Sequence, residues 1–342
     1  MDSNSAEPRP ETVSTLTAPT PLLPDAVLPA WQSPHALGLW GRRLGQSTLH
    51  LFSLALGSGT FGWSVDECAA ADVIERFVDL GGNFIDATGA HADARSERIL
   101  GSWVGRRGRR ADVMVGTTVG NHQDLSQDPT RVIIRAVDAS LARLAVDHLD
   151  LLSVQLDGRS QADEVLVAVD DLVRCGKVRY VAAAAPTADQ LIEARVIAAQ
   201  SGVSPLVAVQ AKYSLVHRAE YELEVARVAT LQGSGFMPRH PLSGGVLTGR
   251  PHTRQDVVRL RRRGADTLPT KRWPPLMAAL GAVGAELGVK VPAVAVAWLL
   301  TRPNVTAPIV SVSTPGQVDD VMAAVRIQLT RQQSSELDRL SR

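Results

Sequence analysis

The 342-residue chain has little cysteine, few aromatic residues and almost no net charge. Its two cysteines, Cys68 and Cys175, match neither a disulfide framework nor a zinc-knuckle spacing, so the reducing cytoplasm is the expected compartment. Basic and acidic residues number 36 and 35, and the resulting charge of +1 supplies no global field for nucleic acid. Lysine is scarce among the basic residues and occurs only at Lys177, Lys212, Lys271 and Lys290. No run of about 18 apolar residues occurs, which argues against a membrane span. The first thirty residues carry Asp2, Glu7 and Glu11 and are broken by prolines from Pro8 to Pro29. A secretory signal needs a basic start and an unbroken apolar stretch, so none is expected.

What is present is a globular composition, 45% hydrophobic and 21% charged, close to soluble averages of roughly 45–50% and 25%. Residues 1–38 are rich in Ser, Thr, Pro and Ala without periodicity and read as a disordered tail. Residues 39–342 read as one folded unit. A short hairpin is predicted from Arg42–Leu44 and Leu49–Leu51 around Gly45–Ser47. Short apolar runs then recur at Leu54–Leu56, Asn83–Ile85, Val113–Gly116, Leu149–Val154, Val178–Ala182, Leu206–Val209, Gly235–Met237 and Pro308–Val310. Amphipathic stretches alternate with them at Cys68–Leu80, Arg95–Val104, Pro129–Leu144, Ala162–Arg174, Ala188–Ser201, Arg218–Leu231 and Pro292–Leu300.

Eight strands with crossover helices imply parallel pairing and right-handed closure, hence an α/β fold, a (β/α)8 TIM barrel preceded by a β-hairpin. No GxGxxG turn follows the first strand, which argues against an open doubly wound sheet. Pro251–Lys271, with Arg254, Arg259, Arg261, Arg262 and Arg263, reads as a basic loop, either a solvated insertion or an anion or partner contact.

In such barrels the chemistry sits at the C-terminal ends of the strands. There the sequence offers Asp86, followed by His91; Thr117–Thr118; Gln155–Asp157; Gln210 with Tyr213; and Arg239–His240–Pro241–Leu242–Ser243–Gly244–Gly245. Asp86 can orient a partner, exchange a proton or make a structural hydrogen bond. His91 is either an ordinary loop histidine or a proton carrier, its unperturbed pKa of about 6.5 suiting transfer near neutrality. Gly244 and Gly245 can offer backbone N–H groups to a phosphate. A metal site from Asp86, His91 and His240 requires three converging ligands, and no metal is assigned.

Several motifs resemble the aldo-keto reductase superfamily: Leu56-Gly57-Ser58-Gly59-Thr60-Phe61-Gly62, Gly82-Asn83-Phe84-Ile85-Asp86, and Ser96-Glu97 with Ile99-Leu100-Gly101. Gly176-Lys177-Val178-Arg179-Tyr180, Pro241-Leu242 with Gly244-Gly245, Leu247-Thr248-Gly249, and Thr314-Pro315 with Gln317 extend the likeness, which runs from about Leu39 to Leu340. The resemblance implies a tetrad of Asp, Tyr, Lys and His around the nicotinamide of NADP(H), with Tyr protonating the substrate carbonyl. Asp86 keeps its place in that tetrad, while His91 stands at the Tyr position, Thr118 at the Lys position and Gln155 at the His position.

The implied cofactor contacts are also altered. Gln210 is kept, but Ala184-Ala185 replace the Ser-Asn pair that holds the carboxamide. Arg239 replaces the stacking aromatic and His240 the neighbouring Ser, while Leu242, Gly244 and Gly245 remain on the diphosphate side. Ser313 replaces the Arg for the 2′-phosphate, Gln317 persists, Asp320 replaces Glu and Val321 replaces Asn.

Loss of a proton donor alone lowers a rate by roughly 10²–10⁴-fold, so loss of ordinary carbonyl reduction is expected. That leaves a pseudoenzyme, or a repurposed non-redox enzyme (lyase, isomerase or dehydratase) using Asp86 and His91. Two alternatives stand beside it. One is an NADP(H)-dependent oxidoreductase with His91 as altered donor, in a setting such as bacterial secondary metabolism. The other is a binding or regulatory subunit. The expected partner is a small molecule in the barrel mouth, not nucleic acid or membrane, with a protein partner under the last alternative.

Overall fold

The computed structural model describes residues 41–87, 94–107, 110–120, 128–156, 162–249 and 273–342. The tail over 1–38, His91, Asp157 and the basic stretch Pro251–Lys271 lie outside these residues.

A two-stranded antiparallel hairpin, β1 (Gly41–Arg43) and β2 (His50–Phe52), comes first. Its strands stop short of Leu44 and Leu49, which were expected inside them. Those two residues instead close the turn through a Leu44 N–H to Leu49 carbonyl bond of 2.9 Å and bury their side chains in the barrel core. Gly45 in this turn has φ +53°, and a Cβ there would lie 2.1 Å from the Val207 carbonyl oxygen. The turn is pressed against the barrel backbone, and only glycine fits.

The barrel strands are β3 (Ala55–Gly57), β4 (Phe84–Ala87), β5 (Met114–Val119), β6 (Leu149–Gln155), β7 (Val178–Ala184), β8 (Ala208–Lys212), β9 (Gly235–Arg239) and β10 (Ile309–Val310). All pair in parallel and close in sequence order, β10 returning to β3. The helices are α1 (Glu67–Asp79), α2 (Arg95–Arg107), α3 (Pro129–Leu144), α4 (Ala162–Arg174), α5 (Ala188–Ser201), α6 (Ala226–Leu231), α7 (Trp273–Leu287), α8 (Val291–Leu300), α9 (Pro315–Met322) and α10 (Arg331–Ser341). Among the described residues no single helix is long and apolar enough to cross a membrane.

Local signals explain the helix ends. Asp66 caps α1 by accepting from the Ala69 N–H, and Asp128 caps α3 ahead of Pro129. Thr187 with Gln190 and Thr330 with Gln333 form reciprocal capping boxes on α5 and α10, each cap contributing about 1 kcal/mol. The stretch expected as one helix over Arg218–Leu231 instead holds a π-helical turn, Tyr221–Val225, leading into α6. Three helices were not expected from the sequence: α7, which is apolar on several sides, the short α9, and α10, which buries only Leu337.

Alternation along the strands divides the core in two. Ala55, Phe84, Met114, Leu151, Ala182, Ala208, Met237 and Ile309 fill the barrel interior. Ile85, Val115, Leu152 and Val181 face outward to the helices. Large and small residues interlock: a Cβ on Gly116 would lie 2.7 Å from the Phe84 ring.

Several strands run beyond the apolar segments that predicted them. β4 contains Asp86, β5 contains Thr118, and β8 ends at Lys212 rather than Val209. Asp86, Thr118 and Lys212 are polar because they face the lumen opening, while their backbones still complete the ladder.

Candidate functional site

The interior face defined by Phe84, Met114, Leu151, Ala182, Ala208 and Met237 continues upward by the same alternation. It brings Asp86, Thr118, Gln155, Ala184, Gln210, Lys212 and Arg239 to one ring at the C-terminal mouth, fixed by the registers Gly57 with Asp86, Thr118 with Ser153, Gln155 with Ala184, Ala184 with Gln210, and Lys212 with Arg239.

Asp86 is 2% exposed and Gln210 is fully buried, and Gln210 Nε2 donates to Asp86 Oδ1 at 3.3 Å. Burial pushes the Asp86 carboxyl above the usual carboxylate range, opposed by the Arg239 charge and the Gln210 hydrogen bond. Two buried polar atoms in this ring, Gln210 Oε1 and Thr118 Oγ1, have no hydrogen-bond partner. The β5 pleat separates the two threonines. Thr117 points outward and donates to Glu97 Oε1 at 2.9 Å, and Arg143 Nε holds the other oxygen at 2.6 Å.

The chain's three tyrosines all lie among the described residues, and none reaches the mouth. The Tyr180 hydroxyl pairs with Thr48 Oγ1 at 2.9 Å beside the hairpin, at the opposite end. Tyr213 donates to Glu222 at 2.6 Å from the outer layer, where Tyr221 stacks on Phe236. Burial raises both phenols well above their ordinary values, with Glu222 adding to the rise at Tyr213. Two lysines are equally remote: Lys177 pairs with Asp138 at 2.6 Å and Lys290 with Asp320 at 2.9 Å on the surface.

The candidate cofactor positions fall on the same end of the barrel, and much of their hydrogen-bonding capacity is satisfied by the protein itself. The Ala185 N–H donates to the Gln210 carbonyl at 2.7 Å with φ +47°. After β9, His240 and Ser243 also take left-handed backbone, and Gly244 and Gly245 follow in a 3₁₀ turn. Within that turn the Gly245 and Leu247 N–H groups both donate to the Leu242 carbonyl. Gln317, at the start of α9, accepts from the Ser313 N–H at 2.8 Å. Asp320 is engaged by Lys290. With alanine at 184 and 185, an arginine where a ring would stack and these groups closed internally, the donor set does not fit NADP(H).

Lys212 escaped the sequence reading because the apolar run of its strand stops at Val209. Its signal was the spacing from Gln210, two residues along one strand and therefore on the same face.

Residues 53–342 match the family described as "Aldo/keto reductase family". The chain is 31% identical over 303 residues to the uncharacterized oxidoreductase YrpG of Bacillus subtilis, covering 84% of this chain and 92% of that protein. It is 26% identical over 334 residues to the aldo-keto reductase dtxS3 of Metarhizium robertsii, covering 87% and 90%. It is 27% identical over 301 residues to a probable voltage-gated potassium channel subunit beta of Arabidopsis thaliana, covering 84% and 91%. Closed eight-stranded barrel, antecedent hairpin and family match agree: the chain belongs to the aldo/keto reductase family.

Proposed function

We propose that this barrel has lost ordinary NADPH-dependent carbonyl reduction and uses its mouth as a pseudoenzyme or repurposed non-redox site built on Asp86 and His91. The observation that carries the reading is the placement of the chain's three tyrosines, all away from the mouth. A carbonyl reductase needs a proton donor at the substrate oxygen. Arginine side chains are no acids for this step, so Arg239, whose charge acts on Asp86, does not replace the donor, and the amide of Gln155 and the hydroxyl of Thr118 are poor acids. His91 is then the one group of the ancestral tetrad positions suited to exchange a proton at neutral pH. Asp86, held by Gln210, would orient it.

In this reading the protein works in the cytoplasm on a small molecule and does not depend on NADP(H). Fluorescence titration with NADPH and NADP⁺ tests it. No saturable binding at micromolar concentration is expected, and a dissociation constant in the low micromolar range or tighter overturns it.

Two observations favour other readings. The relatives from Bacillus subtilis and Metarhizium robertsii bear oxidoreductase and reductase names, which supports an NADP(H)-dependent enzyme with His91 as altered acid, in secondary metabolism for instance. The Arabidopsis thaliana relative is named as a channel subunit, which supports a binding or regulatory subunit.

A further inference from the structure

We propose that the outer face formed by α4, α5 and α6 is a dimer interface, and that two copies of this chain pair through it about a two-fold axis running along α5.

Five of the six large apolar side chains exposed among the described residues lie on this one sector: Val167 on α4, Ile192 and Val196 on α5, Leu223 in the π-helical turn before α6, and Leu231 at the end of α6. The elements are consecutive on the outer layer. Gln232 Nε2 donates to the Leu191 carbonyl at 3.0 Å, which sets Leu231 and Ile192 beside the same seam. Clustered apolar surface marks an interaction site, whereas single exposed residues do not. α5 has two apolar sides. It turns Leu191, Ala194 and Ala198 toward the barrel. At about 100° per residue, Ile192, Val196 and Ala199 form a second stripe on the opposite side, all three exposed. A helix apolar on both sides is ordinarily covered on both.

Charge identifies the occupant. The same helical geometry puts Arg195 on one flank of the outer stripe and Asp189 and Glu193 on the other, all exposed. Among the described residues none of these three side chains makes an ion pair. A two-fold axis parallel to α5 sets two copies of the helix side by side in the same direction, stripe against stripe, with opposite flanks facing. Arg195 of each copy then meets the flank of Glu193 of the other, offset by about 3 Å along the axis. Antiparallel pairing brings like flanks together, Arg195 against Arg195, and is disfavoured. The same axis lays α6 of one copy toward α4 of the other, so Leu223 and Leu231 meet the side that carries Val167. The sector is complementary to itself, as a closed isologous dimer requires.

Sedimentation velocity of the full chain from roughly 1 to 100 µM reads the association, and the wild type should dimerise with a dissociation constant of about 10 µM or tighter. Ile192→Glu and Val196→Glu, which place a charge in the stripe, should each weaken the dimer at least about tenfold. Arg195→Glu and Glu193→Arg, made singly, should each weaken it by roughly tenfold. Made together in one chain they should restore it to within about threefold of wild type, because the exchanged charges again face each other. Trp63→Ser, exposed outside the sector, should leave it unchanged. Circular dichroism confirms folding; if a stripe variant fails to fold, the charge reversals at exposed positions carry the comparison. A wild type that stays monomeric throughout the range overturns the proposal and gives the sector to a different protein. A mass above that of a dimer, a dimer indifferent to the folded stripe variants, or no recovery in the double variant overturns it equally.

Discussion

Gln210 reaches across the lumen from β8 to donate to the Asp86 carboxylate of β4 at 3.3 Å. A neutral amide is the carboxylate's one side-chain hydrogen-bond partner among the described residues, and it offsets only part of the desolvation that burial imposes. The mouth is thus built around a carboxyl group held at a thermodynamic disadvantage, a common property of functional sites.

Asp86→Asn should therefore stabilise the protein near neutral pH. A carboxyl whose folded pKa is raised favours the fold fully below its unfolded value of 3.8, and that contribution is lost as pH rises through the higher folded value. The uncharged amide escapes the loss. Its melting temperature should exceed that of wild type by roughly 2 °C or more at neutrality, and the difference should vanish as the solution is acidified. Scanning fluorimetry across pH checks this; a less stable Asn variant at neutral pH would contradict it.

Glu97 is fully buried between Thr117 and Arg143. Arg143→Ala strands its carboxylate, and a loss of about 3–5 kcal/mol is expected. Glu97→Gln, which leaves a neutral group in the same place, should lose less. Urea midpoints of the two variants, ranked in that order, support the assignment; the reverse order refutes it.

At Gly45, alanine would meet the Val207 carbonyl oxygen at 2.1 Å and keep an unfavourable positive φ. The contact is with backbone, which cannot swing aside as a side-chain tip can. Gly45→Ala should lower stability by about 1–3 kcal/mol, read from denaturant unfolding. An unchanged midpoint would mean the hairpin does not seal the barrel floor.

Restoring reductase activity should need several changes at once. His91→Tyr alone supplies a phenol without the lysine that lowers its pKa, so NADPH-dependent reduction of a generic aldehyde should stay undetectable. Joint His91→Tyr, Thr118→Lys and Gln155→His substitution, with Ala184→Ser and Ala185→Asn, is expected to bring turnover up from background. Robust turnover by the wild type would defeat the proposed function outright.

The helices that the apolar periodicity marks out lie nearly where expected. α3, α4 and α5 begin and end at the predicted residues, since the caps of α3 and α5 and the amphipathic faces of α3 and α4 are local properties. Strand ends were not legible in the same way. The ladder of β8 continues through Lys212 after apolar character stops, because a lumen-facing end position is hydrogen-bonded by its neighbours and not by its own sequence. His91 was legible as a candidate from its place after β4, but it lies outside the described residues.

By itself the sequence determined the alternation of eight apolar segments with helices, and with it a parallel closed barrel, because periodicity and capping act over a few residues. It also determined that tyrosine, lysine and histidine do not stand at positions 91, 118 and 155. Only the tertiary structure decided that Tyr180, Tyr213 and Tyr221 all lie away from the mouth, that Gln210 meets Asp86, and that Lys212 faces the same lumen as Arg239. Those facts depend on strand register and barrel closure, which join residues more than a hundred positions apart and are set by the packing of the whole interior.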